Sequence, residues 1–235
     1  MIQQKGAGAV TVHVTAYAPT TPTRAALDGF VEANHYVSID AAHFTHETEA
    51  GGARWATLPE YGETLSAMTV LPVTAASRLP PQAAPTLEYR MYLFDSGKVI
   101  VQAILAPTLN FVPGRGLRYA VSFDDQPPVI VDALADDSKQ AWAIAVSDGV
   151  RKVTTQLHVA SPGYHTLKFR MIDPGVVVER LVVGFADPDA PHLQGKPAPA
   201  EPTVPASYLG PPESYYRTRC RSNTAAGAAA ACASR

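Results

Sequence analysis

A chain of 235 residues, 46% hydrophobic and 17% charged, is long enough to bury a sizeable core and fits one globular domain of roughly 170 to 200 residues with loose ends. Its 19 basic and 21 acidic residues give a net charge of −2, which excludes the basic footprint expected for nucleic-acid phosphate or an anionic membrane. Both cysteines, Cys220 and Cys232, sit in an alanine-rich tail, so no disulfide framework holds the body together, and no stretch approaches the roughly 18 apolar residues of a membrane span.

The opening MIQQKGAGAVTVHV has no apolar run of signal-peptide length, and residues 1–9 read as a disordered start. Val10–Thr15 then alternates cleanly, V-T-V-H-V-T, and predicts a strand. Tyr36–Ile39, Leu65–Val70, Leu87–Phe94 and Val99–Leu105 repeat that signal, as do Arg118–Phe123, Ala141–Val146, Val150–Val159, His165–Met171 and Val176–Val183. Turn residues fall between them: Asp95-Ser96-Gly97, Pro113-Gly114, Asp148-Gly149, Ser161-Pro162-Gly163 and Asp173-Pro174-Gly175. About ten short strands with almost no helical periodicity predict an all-β fold, a β-sandwich or jelly roll over residues 10–185. A proline-dense strap follows over 186–216, and an Ala-rich tail over 217–235 reads as disordered.

Catalytic motifs are absent from this pattern. No G-x-S-x-G elbow occurs, and Gly114-Arg115-Gly116 lacks the lysine and helix of a phosphate loop. His43 and His46, with Glu47 and Glu49, are metal-ligand types, but residues three apart on a strand point to opposite faces, so the segment reads as a polar loop and no metal site is assigned. A glycosidase needs two carboxylates held apart across a sugar. Asp124 with Asp125, Asp136 with Asp137, Asp173 and Asp40 are candidates by type alone, and adjacent pairs diverge in an extended chain. No catalytic residue is therefore assigned.

Aromatic residues in loops carry more promise, because rings stack on the flat C–H faces of sugars. Trp55 and Tyr61 lie in R-W-A-T-L-P-E-Y-G-E-T, which reads as loop, and Asn110 and Phe111 lie in P-T-L-N-F-V-P-G-R-G. These four are the candidate carbohydrate-binding residues. Trp142, in Q-A-W-A-I-A-V, reads as a core residue of a strand.

Two long segments carry a resemblance. One is G-F-V-E-A-N-H-Y-V-S-I-D-A-A-H-F-T (residues 29–45) with W-A-T-L-P-E-Y-G-E-T-L-S-A-M-T-V-L-P-V-T from Trp55 to Thr74. The other runs from L-E-Y-R-M-Y-L-F at Leu87 through V-Q-A-I-L-A-P-T-L-N-F-V-P-G-R-G-L-R-Y-A-V-S-F-D-D to Asp125, then P-G-Y-H-T-L-K-F-R-M-I-D-P-G-V-V-V-E from Pro162. In order and spacing the chain resembles the C-terminal domain of glycoside hydrolase family 115, the xylan α-glucuronidases, from about Val10 to Ser214.

The resemblance implies a jelly-roll-like accessory sandwich similar to carbohydrate-binding modules of families 6 and 35. It implies that catalysis belongs to upstream domains, that no cofactor is needed, and that partners are those domains or a second protomer, with glucuronoxylan as the glycan. The alternative is an independent carbohydrate-binding module. Export to the periplasm or the extracellular space follows by resemblance, although this chain carries no signal peptide. Related modules hold a structural calcium with acidic residues of the kind the family writes I-E-A-E-H; here the segment is I-D-A-A-H, with Asp40 retained and Ala42 in the second position. A start so near a domain boundary, and a tail unlike the family beyond Tyr216, point to a fragment or an altered reading frame.

Overall fold

The computed structural model of the protein describes residues 22–23, 26–62, 66–185, 213–214 and 216–217. The 1–9 start, the strand expected over Val10–Thr15, most of the 186–216 strap and nearly all of the 217–235 tail lie outside the described residues. In chain order the first strands are β1 (Gly29–Val31), β2 (Tyr36–Asp40), β3 (His46–Thr48), β4 (Arg54–Pro59) and β5 (Ser66–Leu71). The long central strands β6 (Thr86–Leu93) and β7 (Gly97–Leu105) follow, then β8 (Arg118–Phe123), β9 (Val129–Asp132) and helix α1 (Lys139–Ser147). The last are β10 (Arg151–Val159), β11 (Gly163–Met171), β12 (Val177–Phe185) and β13 (Tyr216–Arg217).

These strands form two sheets, as the alternating pattern requires. One runs β13-β1-β6-β11-β8-β9, with β3 also on β6; the other runs β10-β7-β12-β5-β4, with β2 also on β12. All pairings are antiparallel except β1 with β6. The inward positions of each sheet supply one core: Leu87, Tyr89, Met91 and Leu93 on β6 and Leu167, Phe169 and Met171 on β11 face Val99, Val101, Ala103 and Leu105 on β7 and Leu181 and Val183 on β12. β7 is apolar on both faces because Ile104 packs outward with Val150, Val182 and Tyr36 in a second, small cluster.

Two sequence expectations are corrected here. Residues Ala141–Val146 form part of helix α1, not a strand, and Trp142 is half-buried on it. Ser138 caps that helix, its Oγ accepting from the Ala141 N–H at 3.1 Å, a start signal that outweighs the short apolar run. The stretch around Trp55 is strand β4, paired along its length with β5 (Trp55 with Val70), and not a loop.

Candidate functional site

The connection from β7 to β8 carries Asn110, Phe111 and Arg115 and lies over the turn from β11 to β12. Phe111 rests on Gly175, where a Cβ would come within 2.6 Å of the ring's Cζ; with φ at 101°, that position needs glycine twice over. The ring is otherwise in solvent, 53% exposed, beside the exposed Leu109. Beneath it the Arg115 guanidinium stands 5.3 Å from the ring centroid, a cation–π contact.

Arg115 reaches toward Asp173 at 3.6 Å, too far for a hydrogen bond. Asp173 is fully buried and already occupied: it accepts from the Arg118 backbone N–H (2.9 Å), Arg118 Nε (2.8 Å), Arg118 Nη2 (3.1 Å) and Ser77 Oγ (2.5 Å). Burial pushes the Asp173 pKa up, but the hydrogen bonds from Arg118 and Ser77 outweigh it and hold the carboxyl below its usual range. Arg115 is left with charge compensation and no side-chain hydrogen bond among the described residues. Its Nε and Nη2, and Oδ1 of Asn110, are buried polar atoms without a partner. Atoms of that kind each cost about 1–3 kcal/mol, and three of them fall within one short loop.

The other sequence candidates are dispersed. Tyr61 is exposed, but it follows β4, where Gly62 lies against the Glu179 carboxylate; no contact joins it to Phe111. Trp55 is 1% exposed, its ring 5.7 Å from that of Phe169 in the core, so no ring face is left for a sugar. Its inward position in β4 explains why. Two open depressions, of 610 and 570 Å³, are lined around Leu71 and Val73 and around α1 and β10, and contain none of the four. Phe111 is thus a platform rather than a pocket wall. Arg115 and Arg118 were missed by sequence reading, since nothing local marks a partner 55 residues away.

Most of the acidic candidates are engaged in structure. Asp124 holds His165 Nδ1 at 2.8 Å and the Thr166 N–H at 2.9 Å, Asp125 pairs with Lys168 at 3.1 Å, and Asp136 accepts from the Ser138 N–H. One carboxyl has the raised pKa of a general acid, and sequence reading did not single it out. Glu32, wholly buried after β1, accepts from the Phe94 and Asp95 N–H groups at 2.7 and 3.0 Å. Burial, then a hydrogen bond to the Asp95 side chain, raises its pKa to about 7. Asp95 in turn meets His35 Nδ1 at 2.5 Å, with Asn34 and His35 both in the left-handed region at φ 53° and 65°. Glycosidase carboxyls stand about 5–9.5 Å apart with a sugar between them. Glu32 and Asp95 touch, and Glu32 is closed to solvent, so the pair ties the β1–β2 turn to the β6–β7 turn instead.

Among the described residues, two groups bring ligand-type atoms within 4.8 Å of one another: Glu32, His35 and Asp95, and Asp40, His43 and Glu213. The second includes Asp40, in the segment where related modules can hold a structural calcium. Asp40 Oδ1 there accepts from Arg180 Nε (3.0 Å) and Nη2 (2.7 Å), and Ala42 offers no oxygen. These residues do not fit a calcium site, which takes six to eight oxygen ligands.

The description "Glycosyl hydrolase family 115 C-terminal domain" matches residues 29–213. The chain belongs to this family. Among solved structures, the family 115 domain is similar to part of BtGH115A, a 4-O-methyl-α-glucuronidase with specificity for decorated arabinogalactans, at 17% identity and a TM-score of 0.51. That likeness covers 72% of this chain and 19% of the enzyme, so the chain spans about a fifth of that relative's length. Weaker likenesses link it to the C-terminal CBM6 of LamC from Zobellia galactanivorans (10% identity, TM-score 0.44, covering 64% and 99% of the two chains) and to a family 35 carbohydrate-binding module from Clostridium thermocellum (13%, 0.39, 63% and 96%). No curated protein matches. At 17% identity the likeness to BtGH115A bears on the fold alone, the two-sheet sandwich described above.

Proposed function

We propose that this chain is the non-catalytic accessory sandwich of an α-glucuronidase-like enzyme. Its exposed surface serves contacts with upstream catalytic domains or a second protomer, and the Asn110–Phe111–Arg115 loop contacts the glycan, glucuronoxylan being the first to test. One observation carries the reading: an exposed ring stands over the Arg115 guanidinium, in a loop where Arg115 and Asn110 both keep polar atoms without a hydrogen-bond partner. An exposed aromatic ring beside a guanidinium suits a ligand that is apolar on one face and carries hydroxyl or carboxylate oxygen at its rim.

The engagement of the acidic candidates in structural pairs supports the non-catalytic part of this reading. The runner-up, an independent carbohydrate-binding module, is favoured by the same ring. The two differ in whether the isolated chain binds glycan at all. Amide chemical shifts of the full chain, followed during addition of glucuronoxylan or decorated arabinogalactan fragments, test the loop assignment. Changes concentrated in residues 108–117 are expected; changes centred elsewhere contradict it. Incubation of the pure chain with glucuronoxylan is expected to release no glucuronic acid, and sustained release overturns the non-catalytic reading.

A further inference from the structure

We infer that Arg180 is the resident cation of the strand edge at Asp40, so that an internal ion pair replaces a bound calcium and clasps the C-terminal segment onto the sandwich. The geometry begins with a bulge. β12 shifts register between Val178 and Arg180, inserting Glu179, and β12 then pairs Arg180 directly with Asp40 of β2. The guanidinium lays two nitrogens, Nε at 3.0 Å and Nη2 at 2.7 Å, on Asp40 Oδ1. Both side chains are largely shielded from solvent, where such charge-assisted bonds are strongest.

A divalent ion at this place would have to share Asp40 Oδ1 with a positive charge already in contact. It would also lack the donor that Ala42 cannot supply. The neighbouring carboxylate is engaged too: Glu213 Oε1 meets His43 Nδ1 at 2.6 Å and accepts from the Asp40 N–H at 3.3 Å. Ser214 continues the contact, its N–H donating to the Ser38 carbonyl (2.7 Å) while its Oγ accepts from the Ser38 N–H (2.8 Å). Residues 213–214 therefore run along the outer edge of β2, meeting backbone groups that an edge strand otherwise leaves open. Asp40 and Glu213 carry the negative charge of the clasp. Arg180 supplies the positive charge that faces Asp40 across the clasp.

Thermal unfolding of the full chain, first with a chelator and then with about 5 mM calcium chloride, tests this, since that concentration exceeds the dissociation constants of weak oxygen-donor sites. The expected Tm is the same in both within about 1 °C. R180Q is expected to lower Tm by about 5–10 °C, and R180K, which keeps the charge but not the two-nitrogen contact, to recover part of the loss. A calcium-dependent rise of more than about 3 °C in the unaltered chain, abolished by D40N, would overturn the inference. So would an R180Q variant as stable as the parent. If R180Q fails to fold, the calcium comparison on the unaltered chain still decides.

Discussion

Trp55 and Phe111 make an instructive pair, because both sit in short, turn-flanked stretches that look alike in sequence and end on opposite sides of the protein surface. Trp55 occupies an inward position of β4, held by pairing with β5, and its ring fills space against Phe169. Phe111 lies in a connection whose backbone makes no ladder, and Gly175 gives its ring a bare surface to rest on. What separates them is partner strands brought from elsewhere in the chain, so aromatic residues in a β-rich sequence cannot be assigned to binding by local turn chemistry alone.

Breaking the buried member should have the largest effect. Trp55→Ala is expected to lower stability by about 3–5 kcal/mol, read by urea unfolding, because the void opens in the centre of the core. Next comes the Arg118–Asp173 ion pair. Arg118→Met leaves Asp173 buried with its main donors gone, and a loss of about 3 kcal/mol is expected, with Asp173 titrating at higher pH than in the parent.

The opposite case is Glu32. Its folded-state pKa, about 7, lies above the ordinary value of 4.5, so the folded state holds the proton more tightly than the unfolded chain. The stabilisation from that proton is fully present below about pH 4.5 and is lost as pH rises toward 7, a decline of roughly 2–4 kcal/mol. Glu32→Gln should flatten this segment of the stability–pH curve. An unchanged slope would mean that Glu32 is ionised in the folded protein. Smallest in stability is Phe111→Ala, expected to stay within about 0.5 kcal/mol of the parent, since the ring is mostly in solvent.

Much of the sandwich was legible because period-two alternation and turn residues are local signals. β6, β7, β8, β10, β11 and β12 all fall where alternation places them, and the Asp95-Ser96-Gly97 and Ser161-Pro162-Gly163 turns join successive strands as read. The short strands β1, β3 and β9 escaped, since three or four residues carry no periodicity to detect. α1 was misread because a short apolar run is ambiguous between helix and strand; Ser138 after Asp136 and Asp137 was the cap signal that would have decided it. The site was less legible. Phe111 and Asn110 could be nominated by type, but Arg115, Arg118 and Asp173 become one cluster only when β8 and the β11–β12 turn meet. Likewise, Glu32 looks unexceptional in F-V-E-A-N until burial beside Asp95 changes its charge.

The most direct test of the accessory-surface account is calorimetric titration of the full chain with glucuronoxylan oligosaccharides, run in parallel on the parent and Phe111→Ala. The account predicts saturable heat from the parent and at least about a tenfold loss of affinity in the variant, with its unfolding temperature unchanged. Equal binding by the two, or no binding by a parent that is folded, would contradict the assignment of this loop to the glycan.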